Sequence, residues 1–212
     1  NDLDSHPTLA KVPRLTIAHH YGHAMGAYVA SGFQESAICV VDAMGSRVDA
    51  LPANEREVIV GLPTDLNRPE HPGCEARELV SFYEARDGVL TPLEKRVSGH
   101  DLFDPGEDYR PRMMSFCGLG VMYMAVAQQI FGHWGDSGKL MGLAPHGKVT
   151  YPVDAFWRLE DGLLAFSDEL HDSFRHADRW PNHPETYANL AASCQHALER
   201  GLEVIWDRLK GA

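Results

Sequence analysis

Apolar residues fall along the chain in blocks of two distinct periods, separated by polar, proline-bearing stretches. Ser36-Ala37-Ile38-Cys39-Val40-Val41 is a continuous apolar run of strand length, a pattern typical of strands covered on both faces. Glu57-Val58-Ile59-Val60 is a further strand candidate, and Arg14 to Ala18 a short one. Glu78–Ala85 and Val89–Val97 alternate around Arg86-Asp87-Gly88, which predicts a hairpin. Helical spacing predicts a helix from the end of the first strand to about Ser31, stopped by Gly32 in the left-handed region. A second helix, Gly118 to Gly132, is apolar nearly all round and should be buried. Residues 150–184 read as a small aromatic-anchored region with a hairpin about Glu160-Asp161-Gly162. From Glu185 to Leu209 a long helix carries the stripe Leu190, Cys194, Ala197, Leu198, Ile205 and Leu209. Residues 1–13, 61–78 and 98–112 read as loops. There is no internal repeat. This order of elements predicts an α/β fold, a mixed sheet with helices on its faces.

Candidate chemistry begins at Ala18-His19-His20-Tyr21-Gly22-His23. On a helix, His19 and His23 are four apart and share one face, their side-chain roots roughly 6 Å apart. Both imidazoles can then reach one metal at about 2.0–2.1 Å. His20 points about a quarter-turn away, towards a supporting or substrate-contact role. No Glu stands between the histidines as in HExxH, which argues against a metalloprotease. A third ligand is needed, and this helix does not supply one. Asp42 closes the apolar run before Ala43-Met44-Gly45, a place where phosphate or metal chemistry often sits and where an Asp also commonly starts a turn.

A second stretch, Gly135-Asp136-Ser137-Gly138-Lys139-Leu140-Met141-Gly142-Leu143-Ala144-Pro145-His146-Gly147, combines glycines with one cation and suits a phosphate. It is not a Walker A loop, because Leu140 stands where Ser or Thr is required. The plain alternative is a glycine-rich helix start with a surface lysine.

Composition narrows the class. The 212 residues are 44% hydrophobic, enough for a substantial core. A formal charge of −11 makes nucleic acid an unfavourable primary partner. No apolar run approaches the roughly 20 residues of a membrane span, so no membrane partner is expected. The four cysteines, Cys39, Cys74, Cys117 and Cys194, are scattered without a CxxC, as in a reducing compartment, and cytoplasmic placement is expected. Because the chain opens at Asn1, it reads as a piece of something longer.

Taken together, His19-His20-x-x-His23-Ala24, Val40-Val41-Asp42 and Gly138-Lys139-Leu140-Met141-Gly142-Leu143-Ala144-Pro145-x-Gly147 resemble the O-carbamoyltransferases of antibiotic and nodulation-factor biosynthesis. The likeness runs over roughly residues 15–147 and continues faintly through Tyr187 to Gln195. It implies an actin/Hsp70-like (ASKHA) fold related to the tRNA threonylcarbamoyl-transfer proteins, with residues 1–212 the central part of a domain truncated at both ends. It implies ATP with Mg and carbamoyl phosphate as co-substrates, a carbamoyl-adenylate intermediate and a small-molecule hydroxyl acceptor. By position, His19 and His23 would hold iron or another divalent metal, with a further aspartate ligand beyond Ala212. Lys139, Gly138, Gly142 and Asp42 would lie near the nucleotide or carbamoyl group, and His20 would steer protons. Ala43 departs from the glycine usual in the family at that turn. The competing expectations are a tRNA threonylcarbamoyl transferase, opposed by Tyr21 where that family has Glu, and a non-catalytic nucleotide-binding relative. A homodimer is left open.

Overall fold

The structure is a computed structural model, and it describes residues 15–60, 76–97, 118–160, 163–166 and 178–211. Helix α1 (His19–Ser31) leads into strand β1 (Glu35–Val41), then a short helix α2 (Ala53–Arg56) and strand β2 (Ile59–Val60). The hairpin β3 (Glu78–Arg86) and β4 (Val89–Val97) follows, then helices α3 (Leu119–Phe131) and α4 (Ser137–Leu143). A second hairpin, β5 (Trp157–Glu160) and β6 (Leu163–Phe166), precedes the long helix α5 (Pro184–Gly211).

The four-stranded sheet has the order β1-β3-β4-β2, antiparallel except for the parallel β2–β4 edge, so it is mixed. The β3–β4 turn is Asp87-Gly88, with φ of 49° and 82°. Two consecutive positive φ values are what a two-residue hairpin with right-handed strand twist demands. Side chains alternate across the sheet. Val80 and Phe82 join α3, α5 and the β5–β6 hairpin in the larger core. Tyr83 and Ala85 join Ala24 and Tyr28 of α1 in the smaller one. The apolar run of β1 is divided in the same way, with Val40 and Ile38 against α1 and Cys39 and Val41 against the larger core. Both faces are therefore covered, as the run predicts. Yet β1 is an edge of the described sheet, and most of its residues keep some exposure. Strand β3 lies between β1 and β4 and is buried from Glu78 to Tyr83, while Glu84 and Arg86 near the hairpin turn are exposed.

Helix α3 is buried at Leu119, Met122, Val126, Ala127 and Ile130, and Gly132 ends it at φ 85°. Helix α1 stops at Gly32, φ 70°. The α5 stripe enters the larger core as predicted. Leu15 to Ala18 is not a strand; the segment finds no ladder partner among the described residues and leaves Leu15 and Ile17 exposed. The predictions for residues 1–13 and 98–112, most of the 61–78 loop, Cys74 and Cys117 lie outside the described residues. Among those described, no helix is long and apolar enough to cross a membrane.

Helix α5 is tied to the sheet by Arg208, whose guanidinium donates to both Glu94 oxygens at 2.6–2.9 Å, while Arg96 Nε donates at 2.9 Å. Burial alone would raise the Glu94 carboxyl, but the hydrogen bonds from Arg208 and Arg96 outweigh it and hold it below its usual range. A depressed folded pKa stabilises the fold above the unfolded value of about 4.3 and loses that effect as pH falls through the folded value. Glu94→Gln is therefore expected to lower the melting temperature slightly at pH 7, by about 0.5–1 kcal/mol equivalent. It should also flatten the loss of stability between about pH 5 and pH 3. Parallel melting curves for variant and wild type across that window would contradict this.

Candidate metal centre

The end of β1 and the start of α1 meet at one rim of the sheet. Helix α1 carries no cap of its own, since Ala18 offers no side-chain acceptor. Its first N–H groups are capped from elsewhere: His19 N donates to Ser46 Oγ at 2.8 Å, and His20 N to Glu78 Oε2 at 3.4 Å. That docking places the face bearing His19 and His23 over the end of β1. His19 Nε2 lies 2.8 Å from Asp42 Oδ2 and 3.0 Å from His23 Nε2, and His23 Nε2 lies 3.8 Å from the same carboxylate oxygen. Asp42 Oδ1 is occupied by the Ala43 N–H at 2.7 Å, which orients the carboxylate. The residue after the strand-end aspartate is thus packed as well as bonded. A Cβ on Gly120 of α3 would come within 2.8 Å of the Ala43 backbone, so glycine is needed there for Ala43 to fit.

The donor set fits a cation. Two imidazoles and one carboxylate place one ligand atom each within 4.8 Å of one another. Ligand bonds of about 2.0–2.2 Å meeting at octahedral or tetrahedral angles put donor atoms roughly 2.8–3.6 Å apart; two of the observed separations, 2.8 and 3.0 Å, fall in that range and the third, 3.8 Å, lies just above it. All three groups remain accessible, with side-chain exposures of 48%, 57% and 33% for His19, His23 and Asp42. The sequence left Asp42 open to phosphate or metal chemistry, and the resemblance placed it near the nucleotide or carbamoyl group; the structure sets its carboxylate beside the two histidines.

Beneath the rim is a buried polar cluster. Lys95 is fully enclosed and reaches Glu78 Oε1 at 2.5 Å, Glu55 Oε2 at 2.7 Å, Tyr83 Oη at 2.8 Å and Ser81 Oγ at 3.0 Å. His20 Nδ1 is 2.8 Å from Ser81 Oγ, and His20 Nε2 is buried without a hydrogen-bond partner among the described residues. Burial lowers the His20 imidazole to about 4; Lys95 and His19 push the same way, and Glu78 and Asp42 only partly oppose them. His20 is thus neutral near pH 7, and it sits below the rim rather than on it. Burial would raise Glu78, but the Lys95 hydrogen bond and neighbouring charges hold it below the usual range. Burial and the adjacent Glu55 and Glu78 raise the Tyr83 phenol. Glu55, Glu78, Ser81 and Lys95 were not singled out from sequence. The signal was weak: Glu78 and Ser81 interrupt the apolar start of β3, but Lys95 lies within the charged run Glu94-Lys95-Arg96 and Glu55 lies on α2.

Lys139, Gly138 and Gly142 stand elsewhere. Lys139 is exposed, 3.0 Å from Asp136, with its ammonium 5.9 Å from the Phe131 ring centre. With Gly142, Phe131, His146, Trp180 and Glu185 it lines a cavity of about 840 Å³, whose walls include none of the three rim residues. A Cβ on Gly138 or Gly142 would meet nothing within 4 Å, so packing does not require glycine at either. Gly147 is different: a Cβ there would overlap the Ala188 carbonyl of α5. The end of the glycine-rich string is therefore a packing joint between the turn after α4 and α5. Compared with known proteins, the chain matches no family model and no curated protein.

Proposed function

We propose that the chain is the central part of a metal- and ATP-dependent O-carbamoyltransferase with an actin/Hsp70-like domain. It would move a carbamoyl group from carbamoyl phosphate, by way of carbamoyl-adenylate, to a hydroxyl of a small specialised metabolite. The observation that carries this reading is the convergence of His19, His23 and Asp42 at the junction of β1 and α1. The motif resemblance supplies the chemistry, and the geometry supports it by bringing the three donors together.

His19, His23 and Asp42 would hold the ion, which when bound polarises a carbonyl or phosphoryl oxygen as a Lewis acid. The chain's own residues then divide the remaining work. Asp42 supplies the negative charge that a cation at this rim needs, and its second oxygen is fixed by Ala43. Burial suits His20 to support Ser81 and the start of α1 rather than to exchange protons with solvent. Lys139 offers a cation in the cavity lining for a phosphate or carbamoyl group, and Gly142 leaves its wall open to close approach.

Elemental mass spectrometry of the purified protein against the His19→Ala/His23→Ala variant tests the reading. About one metal ion per chain, most readily iron, is expected in the native protein and none in the double variant. If both are free of metal while ATP still binds, the transferase reading fails and a nucleotide-binding scaffold takes its place.

A further inference from the structure

We infer that Glu78 is the positioning residue of the metal centre, holding the two-histidine helix and the Asp42 strand end at a fixed separation. The inference rests on the metal reading above and concerns residues that do not themselves touch the ion. The rim is assembled from two elements distant in sequence, α1 and the end of β1, and both are anchored to the same two residues at the start of β3. On the helix side, Glu78 Oε2 accepts from His20 N at 3.4 Å and from Ser46 N at 2.9 Å, and Ser46 Oγ in turn accepts from His19 N at 2.8 Å. On the strand side, Asp42 N donates to the Leu79 carbonyl at 3.0 Å. The connecting turn is closed by Gly45 N to the Glu78 carbonyl at 2.8 Å and Glu78 N to the Ser46 carbonyl at 3.0 Å.

Glu78 can do this because it is divided in its contacts. Oε1 faces the Lys95 ammonium and Oε2 faces the helix start. A carboxylate at a helix N-terminus is stabilised by the free N–H groups and the helix dipole, so both oxygens are held by positive charge from opposite sides. The space is also closed. A Cβ on Gly45 would come within 2.8 Å of Glu78 Cβ and Oε2 and 2.7 Å of His20 Cδ2, so the turn packs directly on the carboxylate. Outer groups that orient ligands ordinarily change metal affinity by about 10–100-fold when altered.

Glutamine cannot replace this group. Its single carbonyl can serve either Lys95 or the helix N–H groups, and its amide N–H then faces a second donor. The test is a Co²⁺ titration followed by visible absorption, on purified wild-type protein and on Glu78→Gln, Ser46→Ala, Ser46→Thr and His19→Ala variants. Metal-free melting temperatures are measured alongside. The expected result is Co²⁺ affinity about 10–100-fold weaker in Glu78→Gln, with an altered absorption band. Ser46→Ala should shift in the same direction, and Ser46→Thr, which restores the hydroxyl, should return to wild type. Wild-type affinity and spectrum in both Glu78→Gln and Ser46→Ala, with His19→Ala losing the ion, would overturn the inference while the metal reading stands, even if those variants melt lower. If Glu78→Gln does not fold, the Ser46 pair decides alone. If wild type binds Co²⁺ no better than His19→Ala, the metal reading fails and this inference falls with it.

Discussion

Lys95→Met lowers the melting temperature by about 6–20 °C, the largest effect expected of any single substitution in the described residues. Removing one member of a buried ion pair typically costs about 3–5 kcal/mol, and 1 kcal/mol shifts the melting point of a domain this size by roughly 2–4 °C. The reason is charge count. Among the described residues Lys95 is the only ammonium set between Glu55 and Glu78, both buried, so its loss strands two carboxylates out of water. Tyr83 and Ser81 also lose a donor. The same argument predicts recovery: Lys95→Met combined with Glu55→Gln and Glu78→Gln should regain more than half of the lost stability, because a neutral cluster carries no unpaired charge. Thermal unfolding by circular dichroism reads both. A loss of less than about 3 °C in the single variant, roughly 1 kcal/mol, would mean that the cluster is hydrated and that its ionic contacts hold little of the fold together.

Asp42→Ala should abolish metal retention while leaving the fold almost untouched. Asp42 is partly exposed, and its side-chain partners are the neighbouring histidines and one backbone N–H, so truncation strands no buried charge. Its loss removes one of three donors and the only negative charge among them. The fall in affinity should therefore exceed the roughly 10–100-fold that altering an outer group produces. Calorimetric titration with Co²⁺ beside a melting curve separates the two quantities. Unchanged affinity would show that the histidines bind without Asp42 and would return it to the phosphate role suggested by its place at a strand end.

How much of this was legible in the chain follows from distance along it. The helix of His19 and His23, its stop at Gly32 and the hairpin at Asp87-Gly88 are set by contacts within one or two turns, where side-chain spacing and the steric freedom of glycine decide the outcome. The apolarity of α3 and the stripe of α5 likewise state which faces must leave water: the α5 stripe enters the larger core, and α3 is buried along one face and half-buried around the rest. Fold class followed from the order of these pieces, and the structure bears out a mixed sheet with helices on its faces.

Two assignments were open to misreading for the same reason. The run from Ser36 to Val41 shows that both faces of a strand are apolar, but not whether a neighbour pairs on each side, and among the described residues β1 lies at an edge. The glycine-rich string shows where backbone can approach closely, but not what approaches: at Gly147 it is α5 of the same chain.

By itself, then, the sequence determined the local elements, the shared face of His19 and His23, and the chemistry their residue types permit. Only the tertiary structure decided that the Asp42 carboxylate, 23 residues from His19, lies beside the two histidines. It alone also decided that Glu78, 58 residues from His20, joins Ser46 in capping the helix that bears the histidines. Helical periodicity is fixed by bonds between near neighbours. The meeting of a helix start, a strand end and a buried lysine is fixed by sheet register and by the requirement that every enclosed charge find a partner, conditions that exist only once the chain has closed on itself.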